Sequence, residues 1–106
     1  MPIKSTVARV LDRAVRGESI LLSAQLERVD IKTMVKVDAH YDGKPVCPVL
    51  IDYIIDGVAV QWLDSKIPSS IAMQRAESLA SALLIPLCVI HTQGWQEVSK
   101  LTPSLS

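Results

Sequence analysis

"VDIKTMVKVDAHYDGKPVCPVLIDYIIDGVAVQWL", residues 29–63, contains the two turns that decide the fold. Asp42-Gly43 and Asp56-Gly57 each lie between segments rich in β-favouring residues. Asp-Gly between such segments is a strong signal for a tight hairpin turn. In residues 29–41 the odd positions are apolar or β-favouring and most even positions are polar, which is typical of a strand with one wet face. The stretch therefore predicts a three-stranded antiparallel meander.

The spacing of the second turn also predicts which side chains face the core. A two-residue turn places apolar residues opposite one another on one sheet face, in the pairs Ile55 and Val58, Tyr53 and Val60, and Ile51 and Trp62. Alignment of this face with the first strand requires one extra residue. Since Pro48 also removes a ladder hydrogen bond, we expect a three-residue loop or a bulge between Asp42 and Pro48.

Two segments outside the meander have helical spacing. Residues 6–16 form a predicted first helix, with Ser5 as its N-cap and Gly17 as its stop. The stretch from Pro68 to Pro86 predicts a second helix that begins at the serine pair 69–70. Its apolar stripe is small enough to lie close to a sheet, and consists of Ala72, Ala76, Leu79, Ala80 and Leu83.

The remaining segments are short. Residues 87–92 indicate a buried strand, and residues 94–98 indicate a further strand or an extended tail. Residues 18–27 fit both a strand and a helix, and the alternation of Ile20, Leu22, Ala24 and Leu26 slightly favours a strand. We therefore predict an α+β fold: an N-terminal helix, a meander of three or four strands, a second helix packed on the sheet, and a further short strand. One domain is expected over residues 1–106, with residues 102–106 frayed.

Charge and composition argue against two classes of partner. Lys and Arg total 11, as do Asp and Glu, so the chain lacks the cationic excess from which nucleic-acid binders draw affinity. No run approaches the roughly 20 apolar residues of a membrane span. No targeting segment precedes the first helix, so we expect a cytoplasmic protein with free, buried thiols at Cys47 and Cys88.

The predicted order from residue 6 to residue 85 resembles that of the double-stranded RNA-binding domain. That family places lysines at the start of its second helix, where they contact phosphates. Here the corresponding residues are Ser69, Ser70, Ile71, Ala72 and Met73. The cations that would carry RNA binding are missing, so nucleic-acid binding is not expected from the resemblance.

No arrangement of reactive residues predicts catalysis, a metal or a cofactor. His40, Cys47, Cys88 and His91 are zinc ligands by type, but residues 88 and 91 are three apart in a strand and face opposite ways. Apolar neighbours make the thiols unreactive. The aspartates fit turns and solvated strand positions, and the four isolated glycines cannot form a phosphate loop. We therefore predict no catalytic, cofactor-binding or metal-binding residues, and no enzyme.

The second sheet face is more apolar than a solvated face should be. It carries Met34, Val46, Leu50, Ile54 and Leu63, together with Ala59, among polar residues. A contiguous exposed apolar patch is uncommon on a soluble monomer, so either helix one or another chain should cover it. The sequence thus predicts an interaction module that docks onto a protein partner or forms a homodimer. Small accessory and inhibitor proteins of mobile elements are often of this kind.

Two alternatives stay open from the sequence. One is nucleic-acid binding through a local basic patch, formed by Arg9, Arg13, Arg16, Lys32 and Lys36. The other is a small enzyme that uses a pair of carboxylates.

Overall fold

The computed structural model of the chain describes residues 3–63 and 69–98. In chain order its elements are α1 (Ser5–Val15), α2 (Ile20–Leu26), β1 (Ile31–Tyr41), β2 (Lys44–Ile55), β3 (Val58–Trp62), α3 (Ser69–Ala82), β4 (Leu87–His91) and β5 (Gly94–Val98). Two predicted features lie outside the described residues: the frayed tail at residues 102–106 and the start of the second helical stretch at Pro68.

The five strands form one sheet in the order β1-β2-β3-β4-β5. The β3–β4 pair is parallel, because the chain crosses over through α3 between them, and the other pairs are antiparallel. The predicted α+β class and the antiparallel meander are confirmed. The whole sheet, however, is mixed, and β4 and β5 form a further hairpin after α3.

Both Asp-Gly turns form as predicted. Asp42 and Gly43 have φ values of 52° and 74°, and Asp56 and Gly57 have φ values of 49° and 79°. Two successive left-handed residues are typical of the type I′ turn, whose twist matches that of the flanking strands. The predicted bulge is also present: Ala39 pairs with Cys47 but His40 pairs with Pro45, so Val46 is the extra residue.

Helices cover both faces of the sheet. On one face, α1 and α2 form an apolar cluster with β4 and with the part of the meander near the Asp56-Gly57 turn. Its members include Val7, Val10, Leu11, Ile55, Val60 and Cys88. On the other face, the predicted stripe of α3 packs as expected against Ala59, Leu87 and Val89. In the part of the chain that is described, no helix is long and apolar enough to span a membrane; the longest, α3, has 14 residues.

The predicted core face is right near the second turn and wrong beyond it. Ile55 belongs to the cluster under α1, whereas Ile51 belongs to the cluster under α3, although strict alternation would place them on one face. The alternation breaks at the opposed residues Met34, which has a φ of 51°, and Asp52. Trp62, also expected in the core, is 44% exposed.

Side chains replace the β2–β3 ladder at this break. The Asp52 backbone N–H donates a hydrogen bond to Gln61 Oε1 at 2.6 Å, and the Trp62 N–H donates one to Asp52 Oδ2 at 3.0 Å. The pairing of β2 with β3 therefore stops at Tyr53 and Val60, short of the predicted pair Ile51 and Trp62.

Residues 20–26 are helical, so the preference for a strand in this segment was wrong. Ser19 caps α2, and its Oγ accepts a hydrogen bond from the Leu22 N–H at 3.3 Å. The buried residues Ile20, Ser23 and Ala24 have the spacing of one helical face. In α1, Ser5 is the first helical residue and not the predicted N-cap; Lys4 occupies the N-cap position, without a side-chain hydrogen bond.

Candidate functional site

The β1–β2 hairpin extends beyond the rest of the sheet. β3 pairs with β2 only from Tyr53 to Ile55, so the part of β2 from residue 44 to residue 51 pairs with β1 alone among the described strands. β1 is the edge strand of the sheet. We call residues 34–51 the distal hairpin; it is a two-stranded ribbon, which needs contacts on a face or an edge for stability.

One face of the distal hairpin is packed and the other is not. Val37, Val49 and Ile51 pack into the cluster under α3. The alternate residues of both strands point the other way. They form what we call the outer face of the hairpin, whose side chains are exposed: Lys36, Asp38, Pro48 and Leu50. Met34, at the break in alternation, is exposed as well.

The five residues predicted to bind a partner separate into two groups. Met34, Val46 and Leu50 are 60%, 64% and 45% exposed. Ile54 and Leu63 are half-buried against the cluster under α3, and the accompanying Ala59 is fully buried there. The structure thus leaves only three of the predicted residues available to another chain.

The expectation that helix one or a partner covers the whole of this face was also wrong. α3 covers Ile54, Ala59 and Leu63, while α1 and α2 cover the opposite face of the sheet. The physical reason is the crossover through α3, which places that helix over part of the face that the sequence had assigned to α1 or to another chain.

A second group of exposed apolar residues was missed from the sequence. Leu21, Leu22 and Leu26 on α2 are 49%, 61% and 70% exposed. The preference for a strand hid this group, because the helix places these residues on its outer side. The Ser19 cap was the signal that could have identified the helix.

The two cysteines differ in environment. Both are free; Cys88 is buried, and this burial, with a smaller contribution from Glu97, raises the pKa of its thiol to about 12. Cys47 is exposed on the hairpin, which corrects the expectation that both thiols are buried. The bulge at Val46 and the lack of a β3 partner at this point explain the exposure of Cys47.

Potential metal ligands do not assemble in the described residues. Between residues 3 and 98, leaving out 64–68, no three His, Cys, Asp or Glu side chains are grouped as a cation site. Cys88 lies in the cluster under α1, and His91 Nδ1 accepts a hydrogen bond from the Gln93 N–H at 3.2 Å. The predicted separation of these two residues is consistent with this arrangement.

A cavity of about 210 Å³ lies between α3 and the strands β3 and β4. Its lining is mostly apolar and includes Trp62, Leu63, Arg75 and Leu79. Among the described lining residues there is no carboxylate, histidine or cysteine. Within residues 3–63 and 69–98, the side chains that general acid–base or nucleophilic catalysis requires are therefore not gathered at this cavity.

The arginines of the alternative basic patch are engaged in ion pairs. Arg9 Nε and Arg13 Nη2 lie 2.8 and 3.3 Å from the two oxygens of Glu27, and Arg16 Nε lies 3.7 Å from Glu18 Oε2. The two lysines of the patch are on β1, a different element. Phosphate binding by these arginines would have to compete with the carboxylates.

No family model, no curated protein and no solved structure matches the chain.

Proposed function

We propose that this chain is a non-enzymatic, cytoplasmic protein-interaction module that binds another protein chain through its β1–β2 hairpin. The observation that carries the proposal is the exposure of three large apolar side chains, those of Met34, Val46 and Leu50, on a ribbon that extends past the last β2–β3 pair. Because these side chains are 60%, 64% and 45% exposed, complete burial by a partner would contribute about half of the roughly 1.5–3 kcal/mol that a fully exposed side chain gains.

The surroundings of these side chains suit a protein partner. Lys36 lies opposite Leu50 in the ladder and Asp38 lies opposite Pro48, so charged and apolar groups alternate across the outer face. Protein interfaces combine apolar contacts with a polar rim in this way. The edge of β1 that no described strand covers adds backbone groups with which an extended partner strand could pair.

A non-enzymatic role is supported by the placement of the reactive groups. The Cys88 thiol is buried and its pKa is raised, which disfavours the nucleophilic thiolate. Among the described residues that line the cavity under α3, Arg75 is the one that carries a charge, and most of the others are apolar. Nucleic-acid binding is disfavoured by the zero net charge and by the ion pairs of Arg9, Arg13 and Arg16.

Site-specific photo-crosslinking in cells of the native host tests the proposal. A benzophenone amino acid replaces Leu50 in one variant and Gln74, an exposed residue of α3, in the matched control. We expect a discrete adduct from position 50 and none from position 74. The adduct should be lost when Met34→Asp is added to the position-50 variant.

The mass of the adduct identifies the partner. An adduct of twice the chain mass indicates a second copy, and any other discrete mass indicates a different protein; both support an interaction through the hairpin. If position 50 yields no discrete adduct, or the same adducts as position 74, the proposed function is wrong.

A further inference from the structure

No described strand pairs with the outer edge of β1. β1 ends the strand order of the sheet, and its described neighbour is β2 alone. Such an edge presents backbone N–H and C=O groups that can pair with a strand from another chain. At 11 residues β1 is long for an edge strand, since natural proteins tend to keep exposed edge strands short.

Two irregularities limit the part of β1 that can pair in a regular way. Met34, with its φ of 51°, interrupts the strand on one side, and the bulge between Ala39 and His40 interrupts the ladder on the other. The regular stretch between them is residues 35–39, and its midpoint is Val37. In a two-fold contact that uses this whole stretch, Val37 lies opposite its own copy.

The charges of β1 match in this same register. Antiparallel pairing about Val37 places Lys36 opposite Asp38 of the second copy, and the two-fold axis repeats the pair. Moving the axis by one residue places Lys36 opposite Lys36 of the second copy, or Asp38 opposite Asp38 of the second copy. Opposite charges across an antiparallel pair are stabilising and like charges are destabilising, so the charges select the register centred on Val37.

Neither charge has an ionic partner within the described chain. The ladder partners of Lys36 and Asp38 are Leu50 and Pro48, and the ion pairs of the described residues involve other side chains. The described residues of one chain therefore leave the complementary pattern unused. The zero net charge of the chain adds no overall repulsion between copies.

We propose that the partner of the hairpin is a second copy of this chain, joined by antiparallel pairing of the two β1 edges about a two-fold axis at Val37. The inference rests on the proposed function, since it names the partner of the same hairpin. A contact of this size is small, so the dimer should be weak and should exchange with monomer.

Charge reversal tests the register. Sedimentation velocity over about 1 µM to 1 mM gives the dimer Kd of the wild type, Lys36→Asp, Asp38→Lys and the double variant, a range suited to weak association. Each single reversal places two like-charged pairs across the axis and should raise Kd by about tenfold or more. The double variant restores both pairs and should dimerise like the wild type.

Mixing the two single variants provides a matched internal control. In a mixed dimer, both cross-strand pairs are again of opposite charge, so the mixture should associate more tightly than either variant alone. Both residues are exposed, and circular dichroism should show the same fold for every variant. If the mixture recovers association, the weak association of each single variant cannot be the result of a folding defect.

Three results would overturn the inference: a wild type that stays monomeric up to about 1 mM, single reversals with no effect on Kd, or a mixture that fails to recover association. A monomeric wild type removes the second copy as partner but leaves the proposed function standing, provided that position 50 crosslinks to a different protein. Absence of any adduct at position 50 rejects the proposed function itself. The two failures are therefore distinguishable.

Discussion

Glu27→Gln should destabilise the protein, because Glu27 joins α1 to the end of α2. Its side chain is 12% exposed, and its two oxygens bind Arg9 and Arg13 at 2.8 and 3.3 Å. Arg13 Nη1 is buried and already lacks a hydrogen-bond partner within the described structure. Neutralising Glu27 would leave a second nitrogen of Arg13 without its anion.

The magnitude follows from the exposure of the three side chains. Removal of one partner from a fully buried ion pair costs about 3–5 kcal/mol, and an exposed pair contributes about 0–1 kcal/mol. We call Glu27 with its two arginines the clamp. Arg9 is 52% exposed and Arg13 is 27% exposed, so the free energy that the clamp contributes lies between these limits. We expect a loss of about 2 kcal/mol, or a fall in Tm of about 8–10 °C for a domain of this length.

Glu18→Gln is the matched control, because Glu18 and Arg16 are 54% and 67% exposed. Urea denaturation of both variants, at low and at high salt, measures the free energy of unfolding. The Glu18 variant should lose less than about 0.5 kcal/mol, and any loss should vanish in salt. Equal effects of the two substitutions would refute the role given to the clamp.

Three further outcomes follow from burial. Leu83 is 1% exposed in the cluster under α3, so Leu83→Ala should lower the free energy of unfolding in urea by about 2–4 kcal/mol. Leu84 is 74% exposed, so Leu84→Ala should lower it by less than about 0.5 kcal/mol. Equal losses would contradict the packing of α3. A disulfide reagent at neutral pH should modify Cys47 alone until the chain is unfolded, and rapid native labelling of Cys88 would be inconsistent with its burial. Since the pKa of Cys88 rises from 9.0 to about 12 on folding, its contribution to stability is complete below pH 9.0 and is lost as the pH rises towards 12. Cys88→Ala should therefore flatten the decline of stability in that alkaline range, and an unchanged slope would show that the thiol does not contribute.

The parts of the fold that local chemistry determines could be predicted from the sequence. Asp-Gly at residues 42–43 and 56–57 favours two left-handed residues in succession, so both turns and the strands beside them were identified. The bulge followed from Pro48 and from the parity of the flanking strands. The alanine stripe of α3 likewise determined which face of that helix packs on the sheet.

The errors arose where tertiary packing overrides a local pattern. Residues 20–26 alternate as a strand does, but packing against α1 buries Ile20, Ser23 and Ala24 and selects the helix. Methionine has no preference for a positive φ, so the local sequence does not predict the break at Met34. This break moves Ile51 to the other face of the sheet.

The candidate site was predicted in part for the same reason. Met34, Val46 and Leu50 were identified by alternation, and they are exposed. Ile54 and Leu63 follow the same alternation, but α3 covers them. The sequence does not say over which face a crossover helix will lie, since both faces of this sheet are apolar.

An NMR dilution series of the wild-type chain tests the central claim, that the β1 edge binds a second copy, most directly. Backbone amide resonances would be followed from about 1 mM downwards, a range that suits a weak contact. We predict that concentration-dependent shifts are largest from Val35 to Ala39 and smaller at Leu50, and that they are absent from the exposed leucines of α2. Spectra that do not change with concentration, or changes centred on Leu22 and Leu26, would contradict the account.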